Sequence, residues 1–138
     1  MSQDRATFQQ LAETRMSEAR SLLENGHPSG AYYLAGYALE CALKARIAKE
    51  FRKHEIPELK KLQNIYTHDL SALLSIAGLK EDLEAEKQTA SDIYQRWEIV
   101  KTWSEGARYK VWTMDVALAI VRAIDGDGGI LEWLRNRW

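Results

Sequence analysis

The segment AYYLAGYALECALKARIAKEF, which covers residues 31–51, begins apolar, and its first charged residues are Glu40 and Lys44. At roughly 100° per residue, Tyr33, Tyr37, Glu40 and Lys44 fall on one stripe of a helix. Such a stripe can line a polar groove with two tyrosine hydroxyls and a carboxylate. The spacing of Glu40 and Lys44 equally fits a solvated i,i+4 ion pair, which contributes about 0.3–0.5 kcal/mol to helix stability. The residue types leave both interpretations open.

Histidine is the side chain best suited to move protons near neutral pH, and the chain has three histidines. His54 lies in the charged segment FRKHE and is expected to be solvated. His68 begins the segment HDL and is expected to border a helix or to line a groove. His27 follows Arg20 in RSLLENGH, but that string crosses a predicted helix end, which favours a capping and loop role. Because no two histidines have metal-ligand spacing and Cys41 stands alone, we predict no metal site and no cofactor.

The composition predicts a soluble protein with a single domain over residues 1–138. The chain is 46% apolar and 28% charged, and its formal net charge of −1 argues against a strongly basic nucleic-acid-binding protein. A single cysteine favours the reducing cytoplasm, and no apolar segment is long enough to cross a membrane. Residues 44–61 are basic and residues 81–86 are acidic, which could orient RNA, a nucleotide or an acidic partner. A solvated helix end with internal ion pairs explains this uneven charge equally well.

The elements that position these side chains are predicted to be helices throughout. Apolar residues recur at helical spacing over three segments predicted to be helices: about residues 4–24, 29–54 and 68–77. Four residues are expected to mark the boundaries of these helices, namely Gly26 and Gly78 as helix ends and Ser29 and Thr67 as helix caps.

The second half of the chain is predicted to form two longer helices and a short tail. A fourth helix is expected over residues 81–103, and a fifth over residues 109–124. The fifth is almost wholly apolar and should therefore be deeply buried. A glycine-rich loop and a short helical tail complete the chain over residues 125–138. The predicted fold class is all-α, an antiparallel four- to five-helix bundle.

Three segments of the chain resemble the HEPN family of small helical domains. They are GHPSGAYYLAGYALECALKARI, HDLSALLSIAGL and a tryptophan-rich region that ends in ARY. The resemblance covers about residues 7–124 and implies a helical bundle that is usually dimeric. Many members of the family are ribonuclease toxins or RNA-processing effectors. Many small bacterial members are encoded beside a minimal nucleotidyltransferase that acts as antitoxin.

The ribonucleases of this family carry an arginine followed, after four to six residues, by a histidine at the start of a late helix. The histidine moves protons, while the arginine holds the phosphate and its developing charge. Arg108 has the expected place of the arginine, but Thr113, Met114 and Asp115 stand where histidine is required. The usual motif is therefore absent. An active site would have to be unusual, with Arg108 acting beside His68 or Asp115.

The sequence thus favours a HEPN-like binding or interaction module over an enzyme. The resemblance implies a homodimer, formed through the last long helix and the region of residues 97–112, and partners such as a nucleotidyltransferase, a nucleotide or RNA. Two alternatives are an active ribonuclease toxin with an atypical site and a purely structural dimerisation module. The expected ligand-binding residues are Tyr33, Tyr37, Glu40, Lys44, Arg108 and Tyr109.

Two further expectations concern the surroundings of this site. Glu40 should face inward or into a groove, paired with Lys44 or Arg108, because an unpaired buried charge costs several kcal/mol. Four aromatic residues around Arg108 could stack on bases, although most of them should be core residues. These aromatic residues are Trp97, Trp103, Tyr109 and Trp112.

Overall fold

A computed structural model describes residues 4–53 and 66–138 of the chain. Within these two ranges the chain forms seven α-helices and two 3₁₀ turns, without a strand. The helices are α1 (Arg5–Glu24), α2 (Pro28–Lys53), α3 (Leu70–Ile76), α4 (Lys80–Ala85), α5 (Ile93–Val100), α6 (Met114–Ile124) and α7 (Ile130–Arg135). The 3₁₀ turns are Glu86–Gln88 and Glu105–Tyr109. The predicted all-α helical bundle is confirmed.

A short turn over residues 25–27 joins α1 to α2. Gly26 has a φ of +79°, and this left-handed conformation ends α1 as predicted. Pro28 is the first residue of α2, a position where a helix needs no N–H donor. The prediction that Ser29 caps α2 is wrong. Its hydroxyl accepts a hydrogen bond of 2.9 Å from the backbone N–H of Trp112 and thereby ties α2 to the segment before α6.

Helix α2 is the centre of the bundle and packs against α1, α3, α6 and α7. Small side chains on α2 let these neighbours approach closely, and those of Ala31, Ala35, Ala38, Ala42 and Ala45 are all fully buried. Gly36 allows the closest approach, because a Cβ added there would lie 2.2 Å from the ring atom Cε2 of Trp103. The packing around Gly36 is therefore close, and an indole ring occupies the space.

Helix α3 is capped by Asp69, whose carboxylate accepts hydrogen bonds from the backbone N–H groups of Ser71 and Ala72. The prediction that Thr67 is the cap is wrong. The Thr67 hydroxyl accepts a hydrogen bond of 3.1 Å from the backbone N–H of Asp69 and so supports the true cap. Gly78 follows the helix with a φ of +74°, as predicted for a helix end.

The continuous fourth helix predicted over residues 81–103 is wrong. This region contains α4, a 3₁₀ turn and α5, which ends at Val100. Local side-chain bonds account for the break. The Thr89 hydroxyl accepts a hydrogen bond from the N–H of Ser91, and the Ser91 hydroxyl accepts one from the N–H of Ile93. Such bonds compete with the backbone ladder of a helix.

The predicted fifth helix begins later than expected and is less buried. Residues 105–109 form a 3₁₀ turn, and Thr113 caps α6 by accepting a hydrogen bond from the N–H of Val116. Arg108 therefore lies in a turn before the helix and not at its start. Helix α6 buries one face in the core, whereas Met114 and Val116 are exposed, so the prediction of a deeply buried helix is wrong.

The C-terminal segment closes the bundle against α1. Asp125 pairs with Arg20 at 2.7 Å, and Arg135 pairs with Glu13 at 2.6 Å. The glycine-rich turn and the short helical tail are present as predicted. Among the described residues, no helix combines the length and the apolar character that crossing a membrane requires.

Candidate functional site

Glu40 is the only polar or charged residue that is buried in the described part of the chain, with 2% of its surface exposed. It lies in the middle of α2, one helical turn before Lys44. The Lys44 ammonium is 3.2 Å from Oε2 of Glu40 and is itself largely buried. Glu40 is thus inward-facing and paired with Lys44, as the sequence indicated.

His68 supplies a second partner for the Glu40 carboxylate. Its Nδ1 atom lies 3.0 Å from both Oε1 and Oε2 of Glu40. On the other side of the ring, Nε2 lies 2.8 Å from Oε2 of Glu105. A neutral imidazole has one N–H and can donate to one of these carboxylates, whereas the doubly protonated ring donates to both. The imidazole therefore bridges two acidic side chains from different parts of the chain.

Arg108 completes the arrangement at the surface. Its guanidinium atom NH2 is 3.2 Å from Oε1 of Glu105. Of the two cations expected to pair with Glu40, only Lys44 contacts it, because His68 and Glu105 lie between Glu40 and Arg108. We call the series Lys44–Glu40–His68–Glu105–Arg108 the Glu40 network. At one end of this network Lys44 and Glu40 are largely buried. At the other end the Arg108 side chain is 45% exposed.

The two predicted tyrosines lie beside the network on α2, and both are half-buried. Their ring centroids are 6.1 Å apart, and the Tyr33 ring stacks at 5.9 Å on the buried ring of Trp103. Burial raises the pKa of the Tyr37 hydroxyl, and nearby Cys41 and Glu40 raise it further. Tyr37 therefore stays protonated near neutral pH and offers a hydroxyl, not a phenolate.

Tyr109 extends the site into solvent. The residue is 79% exposed, and the Cζ atom of Arg108 lies 4.8 Å from the centroid of its ring. Tyr109 makes the largest contribution to raising the pKa of Arg108, and Tyr33 and Glu105 contribute less. The exposed end of the network thus combines a permanent positive charge with an accessible aromatic face.

A groove of about 450 Å³ adjoins the network on the side of His68 and Glu105. The other residues that line it are Asp69, Lys101, Thr102, Trp103, Ser104 and Gly106. The ammonium of Lys101, one of these lining residues, forms an ion pair of 2.6 Å with Glu98. A second cavity, of about 600 Å³, lies between residues 86–93 and 128–136 and includes no member of the network.

The structure does not bring Asp115, the third catalytic candidate, into the network. Asp115 is exposed in the first turn of α6, and no hydrogen bond or ion pair among the described residues joins it to His68 or Arg108. His27 is exposed, and Arg20, which precedes it in RSLLENGH, pairs with Asp125.

The other aromatic residues near Arg108 belong to the core. Trp97 and Trp103 are buried, and Trp112 stacks on Tyr32 with the ring centroids 3.9 Å apart. This agrees with the expectation that most of the four aromatic residues are core residues. Tyr109 is the exposed member of the set.

The basic segment of residues 44–61 is only partly described. Arg46 donates hydrogen bonds to the carbonyl oxygens of Ala77 and Arg137, and Lys49 lies 3.4 Å from the same Arg137 carbonyl. These two cations of α2 therefore bind the end of α3 and the C-terminal residues. His54 and the lysines at positions 60 and 61 lie outside the described residues.

Cys41 is buried beside Glu40 on α2. Burial, together with the Glu40 carboxylate, raises the pKa of the thiol to about 12. A thiol with this pKa is protonated near neutral pH and is a poor nucleophile. Within residues 4–53 and 66–138, no group of three or more potential ligand residues is placed to hold a metal ion.

Sequence reasoning missed Glu105. The one signal for it is local, because Glu105 stands three residues before Arg108 in SEGARY, a spacing that allows an ion pair within a turn. Its contact with His68 joins positions 37 residues apart, and nothing in the periodicity of the sequence indicates that contact.

Comparison with known protein families identifies a HEPN domain. The sequence model of the HEPN domain family matches residues 8–112, which is more than half of the chain. This range contains every member of the Glu40 network. No curated protein and no solved structure matches significantly. The chain therefore belongs to the HEPN domain family, which is associated with nucleotide- and RNA-related functions and with toxin–antitoxin systems.

Proposed function

We propose that this HEPN protein is a binding module that takes a phosphate-bearing ligand, a nucleotide or an RNA, at the exposed end of the Glu40 network. The observation that carries the proposal is the position of Arg108. Its guanidinium is fixed on one side by Glu105, and almost half of its surface remains accessible beside Tyr109. A planar guanidinium matches the oxygens of a phosphate, and an exposed aromatic ring stacks on a base.

The contacts of His68 favour binding over cleavage by the usual family mechanism. A general base needs a ring nitrogen within reach of the proton that it removes. Nδ1 of His68 contacts the buried Glu40 carboxylate and Nε2 contacts Glu105, so Nε2 reaches a ligand only where Glu105 is displaced. At the positions where the family ribonucleases carry histidine, Thr113 caps α6, Met114 has no acid–base group, and Asp115 is exposed and contacts neither His68 nor Arg108 among the described residues.

Membership of the family supports a wider role. We place the protein in a toxin–antitoxin or nucleotidyltransferase-associated system, with a nucleotidyltransferase as its protein partner. Co-purification with a nucleotidyltransferase encoded beside it is the expected result. Failure of the two proteins to associate when they are co-expressed would contradict this part of the proposal.

A second observation supports a homodimer. Three neighbouring apolar residues at and before the start of α6 are exposed, and we call them the 111–116 patch: Val111, Met114 and Val116. Val111 alone is 95% exposed. The patch falls in the region that the family resemblance implies for a dimer interface, and a second copy of the chain would cover it.

Calorimetric titration with adenosine 5′-monophosphate and with a 5′-phosphorylated single-stranded RNA tests the binding site. We expect Arg108→Ala to weaken both ligands about tenfold or more, because it removes charged hydrogen bonds to the phosphate. Lys110→Ala is the matched control, since it removes an exposed cation two residues away. Equal affinity of the wild type and Arg108→Ala would contradict the proposal. Cleavage of the RNA by the wild type, lost in Arg108→Ala, would instead favour the ribonuclease alternative.

A further inference from the structure

The Glu105 carboxylate contacts both His68 and Arg108, the two cationic or proton-donating groups at the exposed end of the Glu40 network. One of its oxygens lies 2.8 Å from Nε2 of His68, and the other lies 3.2 Å from NH2 of Arg108. Two phosphate oxygens can make the same pair of contacts with an imidazole and a guanidinium. Phosphate at Arg108 therefore competes with a carboxylate that the chain itself supplies.

We propose that Glu105 is an internal competitor for the ligand and that the site selects a terminal phosphate monoester. The inference rests on the proposed function and adds the ligand class and its control. A terminal phosphate carries nearly two negative charges at neutral pH, because its second pKa is about 6, whereas an internal phosphodiester carries one. The doubly charged group displaces a singly charged carboxylate more effectively. A mononucleotide or a 5′-phosphorylated end is thus preferred over internal RNA backbone.

The surroundings of Glu105 allow the carboxylate to leave. Its side chain is 31% exposed, and it belongs to a five-residue 3₁₀ turn at the surface. The neighbouring residues Ser104 and Gly106 are exposed. A Cβ added at Gly106 would meet only the Ser104 hydroxyl, at 3.6 Å, so the space around the turn is open. Glu105 can therefore exchange its two partners for water.

Glu40 cannot leave in the same way. It is buried, and it retains both Lys44 and the Nδ1 side of His68 when Glu105 departs. The ring of His68 is therefore held in position, with Nε2 directed toward the space that Glu105 vacates. In this arrangement Glu40 positions His68, while Glu105 controls access to His68 and Arg108.

Calorimetric titration of Glu105→Gln with three probes tests the inference. The probes are adenosine 5′-monophosphate, the phosphodiester adenylyl-(3′→5′)-adenosine without a terminal phosphate, and adenosine. We expect the monophosphate to bind on the order of tenfold more tightly than to the wild type, because a competing charge at contact distance is removed. The phosphodiester should gain less, and adenosine should not change. Glu105→Asp, whose shorter side chain reaches its partners poorly, should give an intermediate gain.

Glu98→Gln is the matched control, because it removes the same charge from a carboxylate that pairs with Lys101 at the groove. The inference is overturned if Glu105→Gln binds the monophosphate no more tightly than the wild type. It is also overturned if Glu98→Gln gives an equal gain, or if adenosine gains as much. Where the wild type binds the monophosphate through Arg108 but Glu105→Gln does not improve binding, the inference fails alone. Absence of binding to both proteins overturns the proposed function as well.

Discussion

Glu40 links the stability of the bundle to the geometry of the candidate site. Its carboxylate is inaccessible, and it contacts Lys44 on its own helix and His68 from the segment before α3. Removing one member of a buried ion pair is typically destabilising by about 3–5 kcal/mol, because it leaves a buried charge without its partner. A conservative substitution that keeps the shape of the side chain isolates this effect.

We therefore predict that Glu40→Gln lowers the free energy of unfolding by about 2–4 kcal/mol, since the amide keeps the volume but loses the charge. Glu18→Gln is the control, because Glu18 pairs with Arg15 on the exposed face of α1. Its effect should stay below about 0.5 kcal/mol. Urea denaturation at neutral pH measures both values, and equal stability of the two variants would refute a buried role for Glu40.

The buried thiol of Cys41, next to Glu40 on α2, should make the stability of the protein depend on pH. The thiol has an ordinary pKa near 9.0, and burial raises it to about 12 in the folded protein. Above pH 9 the unfolded chain releases this proton while the folded chain retains it, so its contribution to stability falls as pH rises. The loss is about 1.4 kcal/mol per pH unit between the two pKa values.

Cys41→Ala removes this proton linkage. Between pH 9 and 10.5 the wild type should therefore lose more stability than the variant, by up to about 2 kcal/mol. Urea denaturation at a series of pH values measures the difference. Parallel curves for the two proteins would show that the thiol is not shielded in the folded state.

At the scale of single elements, α2 depends on one close contact. A Cβ added at Gly36 would lie 2.2 Å from the Trp103 ring, which is buried and cannot retreat. Gly36→Ala should therefore destabilise the protein by about 2–3 kcal/mol despite the higher helix propensity of alanine. At Gly30 the nearest atom is the flexible tip of Leu22 at 3.1 Å, so Gly30→Ala should be close to neutral. Similar unfolding midpoints for the two variants would contradict this packing.

The elements differ in how far the sequence determines them. The positions of α1, α2 and α3 follow closely from apolar periodicity and from the helix-ending residues Gly26 and Gly78. The boundaries of these helices depend on local chemistry. The same periodicity continues through residues 81–103, where Thr89 and Ser91 break the helix with hydrogen bonds that leave no trace in the hydrophobic pattern.

The candidate site shows the same division. Glu40 and Lys44 share one helix, so their spacing predicts their contact. The contact of Glu40 with His68 spans 28 residues, and that of His68 with Glu105 spans a further 37. Such contacts depend on how separate helices pack, which a single sequence does not specify. Arg108 was identified by resemblance, whereas its partner Glu105 became visible only in the structure.

The whole molecule is proposed to be a homodimer that covers the 111–116 patch. Light scattering at micromolar concentration should give about twice the chain mass of 15.8 kDa. Val111→Glu combined with Val116→Glu should yield monomers, because two charges would have to be buried in an apolar interface. Ala90→Glu, which adds a charge at an exposed position outside the patch, should leave the dimer intact. A monomeric wild type would contradict the proposal.

The central claim is that a terminal phosphate binds where His68, Glu105 and Arg108 meet. Nuclear magnetic resonance of the ¹⁵N-labelled protein, titrated with adenosine 5′-monophosphate, tests this claim most directly. The account predicts saturable shifts at the imidazole nitrogens of His68, at Nε of Arg108 and at the backbone amides of residues 104–110, with few changes elsewhere. Shifts centred on the cavity between residues 86–93 and 128–136, or no shifts at all, would contradict it.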